Sequence, residues 1–241
     1  MDKTARSFYL AEGQKDVEIR QYMSLDNLIA QLASGNYYVS KKRRFEDANE
    51  ASMPIKYAFG IAEACRPLRP ADHKMDAEQR ERFNRFKEYC ENFVSCWTTE
   101  PNENIFMWKC YAPDHGVCIK SKINKFLKSF DARCWEDYRV EWKPVQYRQF
   151  DFQFDPKETI FIKDPAYMFE SEMRFLFIPR NMDEDEKHRR RHILLPVNHH
   201  DMIEEVILSP YLSKDTAKVL KSCIERKLEC KVTHSRIMLN K

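Results

Sequence analysis

The sequence predicts an α+β fold in a single domain, and three observations carry that expectation. Apolar residues recur at helical spacing mainly in the first half, while short alternating or β-branched runs crowd the second half. No segment repeats, and no low-complexity linker divides the chain. Hydrophobic residues make up 43% of the 241 positions and aromatic residues 13%, enough to fill one large core.

Each element follows from local signals. Val17 to Tyr22 reads as a strand. "SLDNLIAQLASG" is a helix, with Ser24 or Asp26 as its cap, an apolar face of Leu25, Leu28, Ile29 and Leu32, and Gly35 as its stop. "NYYVS" is a second strand. The longest helix is expected over 71–93, as a helical insert. There Asp76 and Gln79 resemble a capping box, and Phe83, Phe86, Cys90 and Phe93 keep helical spacing. "FVSCWTT" is a strand, "NIFMWKCYA" a brief helix and "HGVCIKS" a further strand. Strands are expected again at 140–147, 159–162, 169–178, 192–197 and 205–210. "NMDEDEKHRRRH" reads as a solvated hairpin tip. A helix from Ser213 to Lys227 and a strand in "ECKVTHS" close the chain.

Composition removes several function classes. With four glycines there is neither a P-loop nor a GxGxxG turn, since neither can be built without its glycines. The eight cysteines form no CxxC pair, and Cys96, Cys118 and Cys223 sit in apolar context. No apolar stretch reaches 18 residues, and "MDKTARSFYLAEG" lacks the apolar segment of a signal peptide. A reduced, cytoplasmic protein with no membrane association is expected. The net charge of +3 permits a nucleic-acid partner without requiring one.

The stretch "YMFESEMRFLFIP" (167–179) sets two acids two positions apart, then an arginine. Read as a strand, it places Glu170, Glu172 and Arg174 on one face and Phe169, Ser171, Met173, Phe175 and Phe177 on the other. The carboxylates would then stand roughly 7 Å apart. One reading is an ion-pair ladder, worth about 0–1 kcal/mol where exposed. The other is a pair of acids in which one stabilises a cation developing on a sugar carbon while its neighbour handles the acceptor.

Lys41, Lys42, Arg43 and Arg44 form a compact basic cluster, either a phosphate contact or a solvated loop. Together with Arg189 to Arg191 it suits a single-stranded nucleic acid. No metal is expected: His199-His200-Asp201 and the pair His188 and His192 match no closed zinc spacing. Cys110 and His115 are neighbours in sequence, but nothing marks the thiol as activated.

In order, "IRQYMSLDNLIAQLASGNYYVSKKRRFEDANEA", "VSCWTT", "MWKCYAPDHGVCIKS" and "FESEMRFLF" resemble a widespread family of bacterial domains, over most of the chain from Val17 to Ile207. Its landmarks are a tyrosine-rich first strand, a Phe-Asn-Asp-Pro box, a Met-Trp-x-x-Tyr-Ala segment, a His-Gly-x-Cys strand and a Glu-x-Glu-x-Arg strand. This chain departs at the box, which reads Phe45-Glu46-Asp47-Ala48-Asn49-Glu50 and lacks the asparagine and proline at their places. That family is in turn similar to the ADP-ribosyltransferase fold, with split mixed and antiparallel sheets and flanking helices.

The resemblance implies an NAD-dependent ADP-ribosyltransferase acting as a toxin on RNA or single-stranded DNA. It further implies a setting in a toxin–antitoxin or phage-defence system, with an antitoxin partner. By the same resemblance Glu172 is the catalytic carboxylate, and Glu170 handles the acceptor. Arg20 or Tyr22 fills the first-strand position and Ser40 the second. Tyr22, Tyr38 or Trp108 would stack nicotinamide, and Arg20 would hold the diphosphate. Trp108 and Tyr111, three apart, fit a helical core face equally well. Two other functions stay open: a non-catalytic module that binds nucleic acid or protein, and a metal-dependent nuclease or hydrolase using Glu170 and Glu172.

Overall fold

The computed structural model describes residues 16–41, 81, 91–148 and 158–239. The expected helical insert at 71–93 lies almost wholly outside the described residues, as do Lys42, Arg43, Arg44 and the box at 45–50. The described chain divides into two compact units. One comprises 1–38, 96–135 and 194–241, the other 39–95 and 136–193.

The first unit is built on β1 (Glu18–Ser24) and β4 (Gly116–Lys122), antiparallel over seven residue pairs from Glu18↔Lys122 to Ser24↔Gly116. β9 (Glu205–Leu208) pairs antiparallel with β4, and β10 (Lys231–His234) runs parallel to β9. β3 (Phe93–Thr98) joins β1 at Arg20↔Thr98. Helix α1 (Leu25–Ser34) starts where Ser24 accepts the Asn27 N–H and stops at Gly35, whose φ of 68° only glycine adopts without strain. Helix α2 (Ile105–Tyr111) leads into β4 through Gly116, where a Cβ would stand 2.3 Å from the Ala112 carbonyl oxygen. The core is aromatic: Trp97 meets Phe126 at 4.9 Å, Phe126 meets Phe130 at 5.0 Å, and Tyr37 lies edge-on to Phe126 at 5.2 Å. The amphipathic helix expected near the C-terminus spans Lys214–Leu228, with Ser213 as its cap.

The second unit centres on β5 (Tyr138–Pro144) and β8 (Glu172–Pro179), antiparallel from Tyr138↔Pro179 to Pro144↔Met173. β2 (Asn36–Lys41) meets β3 at Ser40↔Val94 and Lys41↔Phe93. A two-stranded parallel sheet joins β6 (Gln146–Tyr147) to β7 (Ile162–Lys163), with Tyr147 beside Lys163. Phe93, Phe161, Phe175 and Phe177 are buried here. Parallel and antiparallel pairings together make the fold mixed α+β, as expected.

Several local expectations change. The strand predicted at 159–162 is a 3₁₀ turn over Glu158–Phe161, followed by β7. The strand predicted at 169–178 is a 3₁₀ turn over Pro165–Glu170, then Ser171 in the left-handed region (φ 42°), then β8. Asp164 caps that turn by accepting the Ala166 N–H, and Pro165 has no N–H to lose at its first position. The supposed hairpin tip contains a short helix, Glu184–Arg189. Its acids lie at the positive end and its bases at the negative end, and Asp183 caps it. Cys223 is exposed rather than apolar in setting, whereas Cys118 is fully buried and its thiol is pushed up to about 12 by burial. Among the described residues, no helix is long and apolar enough to cross a membrane.

Candidate functional site

Glu172 opens β8, and its carboxylate is gripped at both oxygens. Arg174 Nε donates to Oε1 at 2.9 Å and Arg174 Nη2 to Oε2 at 3.0 Å. This fork is the geometry in which arginine holds a carboxylate most firmly. The remaining Arg174 nitrogen, Nη1, donates to the Ile160 carbonyl at 2.5 Å. Lys163 Nζ lies 3.5 Å from Glu172 Oε2 and donates to Glu170 Oε2 at 2.6 Å. The same ammonium sits 4.7 Å from the centre of the Tyr167 ring. All four charged side chains are 5% exposed or less, so two acids and two bases balance inside the unit.

The geometry corrects the reading of "FESEMRF" as one strand face. The left-handed Ser171 takes Glu170 off the strand, and the two acids meet through Lys163 rather than through a period-two row. Arg174 is wholly buried, and its neighbours Met173 and Phe175 are buried as well, so β8 has no solvated face at this point. Sequence inspection missed Lys163. A lysine nine residues before Glu172, just ahead of a capped Asp-Pro turn, was the available signal.

The backbone of Glu172 is held too. Its N–H donates to the Tyr147 hydroxyl at 2.7 Å, and its carbonyl accepts the Val145 N–H at 2.8 Å. Burial pushes the Tyr147 hydroxyl well above its ordinary value, and the nearby Glu172 and Glu170 carboxylates push it the same way. Tyr147 therefore stays a phenol at neutral pH.

The remaining expected site residues fall elsewhere. Arg20 does not present a free guanidinium: its Nε and Nη2 donate to Glu18 Oε1 at 3.0 and 2.8 Å, and Nη2 also donates to the Pro101 carbonyl. Tyr22 is buried, edge-on to Trp108 at 4.9 Å, and its hydroxyl accepts the Asn104 N–H at 3.3 Å. Trp108 has no exposed surface and donates from Nε1 to Glu103 Oε2 at 3.2 Å. Tyr22 and Trp108 are thus brought together, both buried. Tyr38 is 41% exposed and Ser40 half-buried.

Lys41 is not part of a solvated cluster. It is 2% exposed, pairs with Glu91, and donates from Nζ to the carbonyls of Lys187 and His188 at 2.6 and 3.2 Å. These carbonyls belong to the last turn of the Glu184–Arg189 helix, where a cation is favoured. The expected nucleic-acid contact at Lys41 is therefore replaced by an internal helix cap.

No protein-family model and no curated protein matches the chain. Among solved structures it is similar to DarT of Thermus sp. 2.9. In the complex with NAD+ the identity is 11% and the TM-score 0.40, over 92% of this chain and 97% of that one. In the complex with carba-NAD+ the values are 12% and 0.39 over 92% and 97%, and with ADP-ribosylated single-stranded DNA 10% and 0.39 over 92% and 95%.

Proposed function

We propose that this chain is an NAD-dependent ADP-ribosyltransferase that modifies a single-stranded nucleic acid, DNA or RNA, with Glu172 as its catalytic carboxylate. The observation that carries the reading is the late glutamate of the Glu-x-Glu-x-Arg pattern. It is a buried carboxylate fixed by a two-pronged arginine at the first residue of a strand. NAD would supply the glycosidic bond and its own leaving group. As that bond breaks, positive charge grows on the ribose carbon. A carboxylate already held in place stabilises that charge without reorganising, which is where fixed electrostatics contributes most. Glu170, on the other side of Lys163, keeps its assignment to the acceptor.

The fit to NAD is uneven, and it narrows the residue list. Glu172 suits the ribosyl cation. Arg20 is engaged by Glu18 and Pro101, and Tyr22 and Trp108 are core, so none of the three is assigned a contact. Tyr38 and Ser40 keep their proposed place as NAD contacts. The wider setting follows the sequence resemblance: a cytoplasmic toxin of a toxin–antitoxin or phage-defence system, held in check by an antitoxin protein.

The second reading draws on a specific observation, the pairing of both carboxylates with buried cations. That arrangement also serves a purely structural cluster in a non-catalytic module. Labelled NAD offered with single-stranded DNA or RNA separates the two. The wild type should transfer label, and Glu172→Gln should lose at least about 100-fold of that activity. No transfer and no NAD consumption with any acceptor would sink the transferase and leave the module.

A further inference from the structure

The short parallel sheet β6–β7 is too small to stabilise anything by its own ladder, with two residues in each strand. Its register nevertheless sets Tyr147 beside Lys163, and both side chains reach the same residue. Tyr147 accepts the Glu172 N–H at 2.7 Å, while Lys163 reaches the carboxylates of Glu172 and Glu170 at 3.5 and 2.6 Å. Val145, next to β6, donates its N–H to the Glu172 carbonyl at 2.8 Å. The Arg148 N–H donates to the Lys163 carbonyl at 3.1 Å, which ties the far end of the sheet.

Resting on the transferase reading above, we infer that β6–β7 is a clamp that positions Glu172, with Lys163 and Tyr147 as positioning residues that touch no substrate themselves. Arg174 fixes the plane of the carboxylate. Lys163 fixes its separation from Glu170, because one ammonium holds both acids. Tyr147 and Val145 fix the peptide that carries it. The left-handed Ser171 gives the clamp its place: the backbone turns out of helical geometry one residue before the catalytic side chain, and the Glu172 N–H is held by the Tyr147 hydroxyl.

The test has two arms. In the first, exchange of the 15N-labelled Glu172 amide is followed by NMR in the wild type and in Tyr147→Phe, which keeps the ring and removes only the acceptor. The clamp requires at least tenfold faster exchange at Glu172, with amides in the middle of β5 and β8 unchanged; equal exchange overturns it. In the second, kcat and KM for NAD turnover are measured for Lys163→Met, Lys163→Arg and Tyr147→Phe. Lys163→Met should lower kcat at least tenfold while KM for NAD changes less than threefold, and Lys163→Arg should recover most of the loss. Turnover abolished by Glu172→Gln but unchanged in Lys163→Met and Tyr147→Phe would overturn the clamp and leave the transferase standing. A wild type without turnover, together with faster exchange in Tyr147→Phe, would end the transferase reading and leave the clamp as a holder of Glu172. Should Lys163→Met fail to fold, Tyr147→Phe decides both arms.

Discussion

The tripeptide Glu-x-Arg occurs on two of the described strands, and these two copies behave differently. In β1, Glu18 receives both Arg20 nitrogens on a single oxygen, and its side chain is 39% exposed. The contacts continue across the sheet: Lys120 lies 3.1 Å from both Glu18 and Glu205, and Lys231 reaches Glu205 at 3.0 Å. In β8, Glu172 is forked by Arg174 across both oxygens and is 5% exposed. The first is a ladder with solvent at its edge, and the second is a closed cluster. The same residue types at the same spacing therefore carry no fixed meaning. Burial and the number of oxygens engaged decide whether the carboxylate is a surface partner or a fixed internal charge.

Breaking the ion pair in each copy should separate them most. Arg174→Met takes the fork away from the buried Glu172 carboxylate and should cost about 3–5 kcal/mol of unfolding free energy in denaturant titration. The double variant Glu172→Gln/Arg174→Met should recover part of that loss, since no buried charge is then left without its fork. Equal costs for Arg174→Met and Glu18→Gln would erase the distinction.

The acid limb of the stability curve gives the next largest effect. His199 is buried, its Nε2 has no hydrogen-bond partner among the described residues, and burial lowers its pKa from 6.5 to about 4. The folded state stays neutral where the unfolded state takes up a proton. Stability should fall as pH drops from about 6.5 to 4, by on the order of 1–3 kcal/mol. Glu205 and Glu18 behave as the usual acids. Burial alone would raise both, but hydrogen bonds from Lys231, Lys120 and Thr233 to Glu205, and from Arg20 and Lys120 to Glu18, outweigh it and lower them below 4.5. Their contribution is present above pH 4.5 and lost below it. His199→Gln should flatten the upper part of the limb and leave the lower part in place, as read by chemical unfolding at several pH values.

The smallest effect belongs to the open ladder. Glu18→Gln should cost about 0–1 kcal/mol, and the difference should shrink in 1 M salt, where the screening length falls to about 3 Å. A cost that survives high salt would mean that the ladder is more closed than its exposure implies.

These contrasts also show what was legible in the sequence. Helix α1 was readable because its determinants are local: Ser24 caps, four apolar residues share a face, and Gly35 stops it. The class of the fold was readable for the same reason. The stretch around Glu172 was misread because its decisive feature is Ser171 in the left-handed region, a place serine does not advertise. Asp164-Pro165 did announce the turn before it. The charge order of 183–191, acids then bases, was a helix signal taken for a hairpin. Lys41 could not be placed, because what buries it lies far away in sequence: it caps a helix some 146 positions on.

The left-handed residue at 171 has one more consequence, for how β8 finds its place while the chain folds. A strand with aromatic residues on one face and no polar edge can slide along its neighbour by two residues and still bury its side chains. Here sliding by two would carry Phe169 or Met173 into the left-handed position and part the Glu172–Arg174 pair from Tyr147, Lys163 and the Ile160 carbonyl. Ser171 and the contacts that Tyr147, Lys163 and Ile160 make with the Glu172–Arg174 pair together act as a stop on the strand, so a mispaired β8 is penalised at its start rather than along its length.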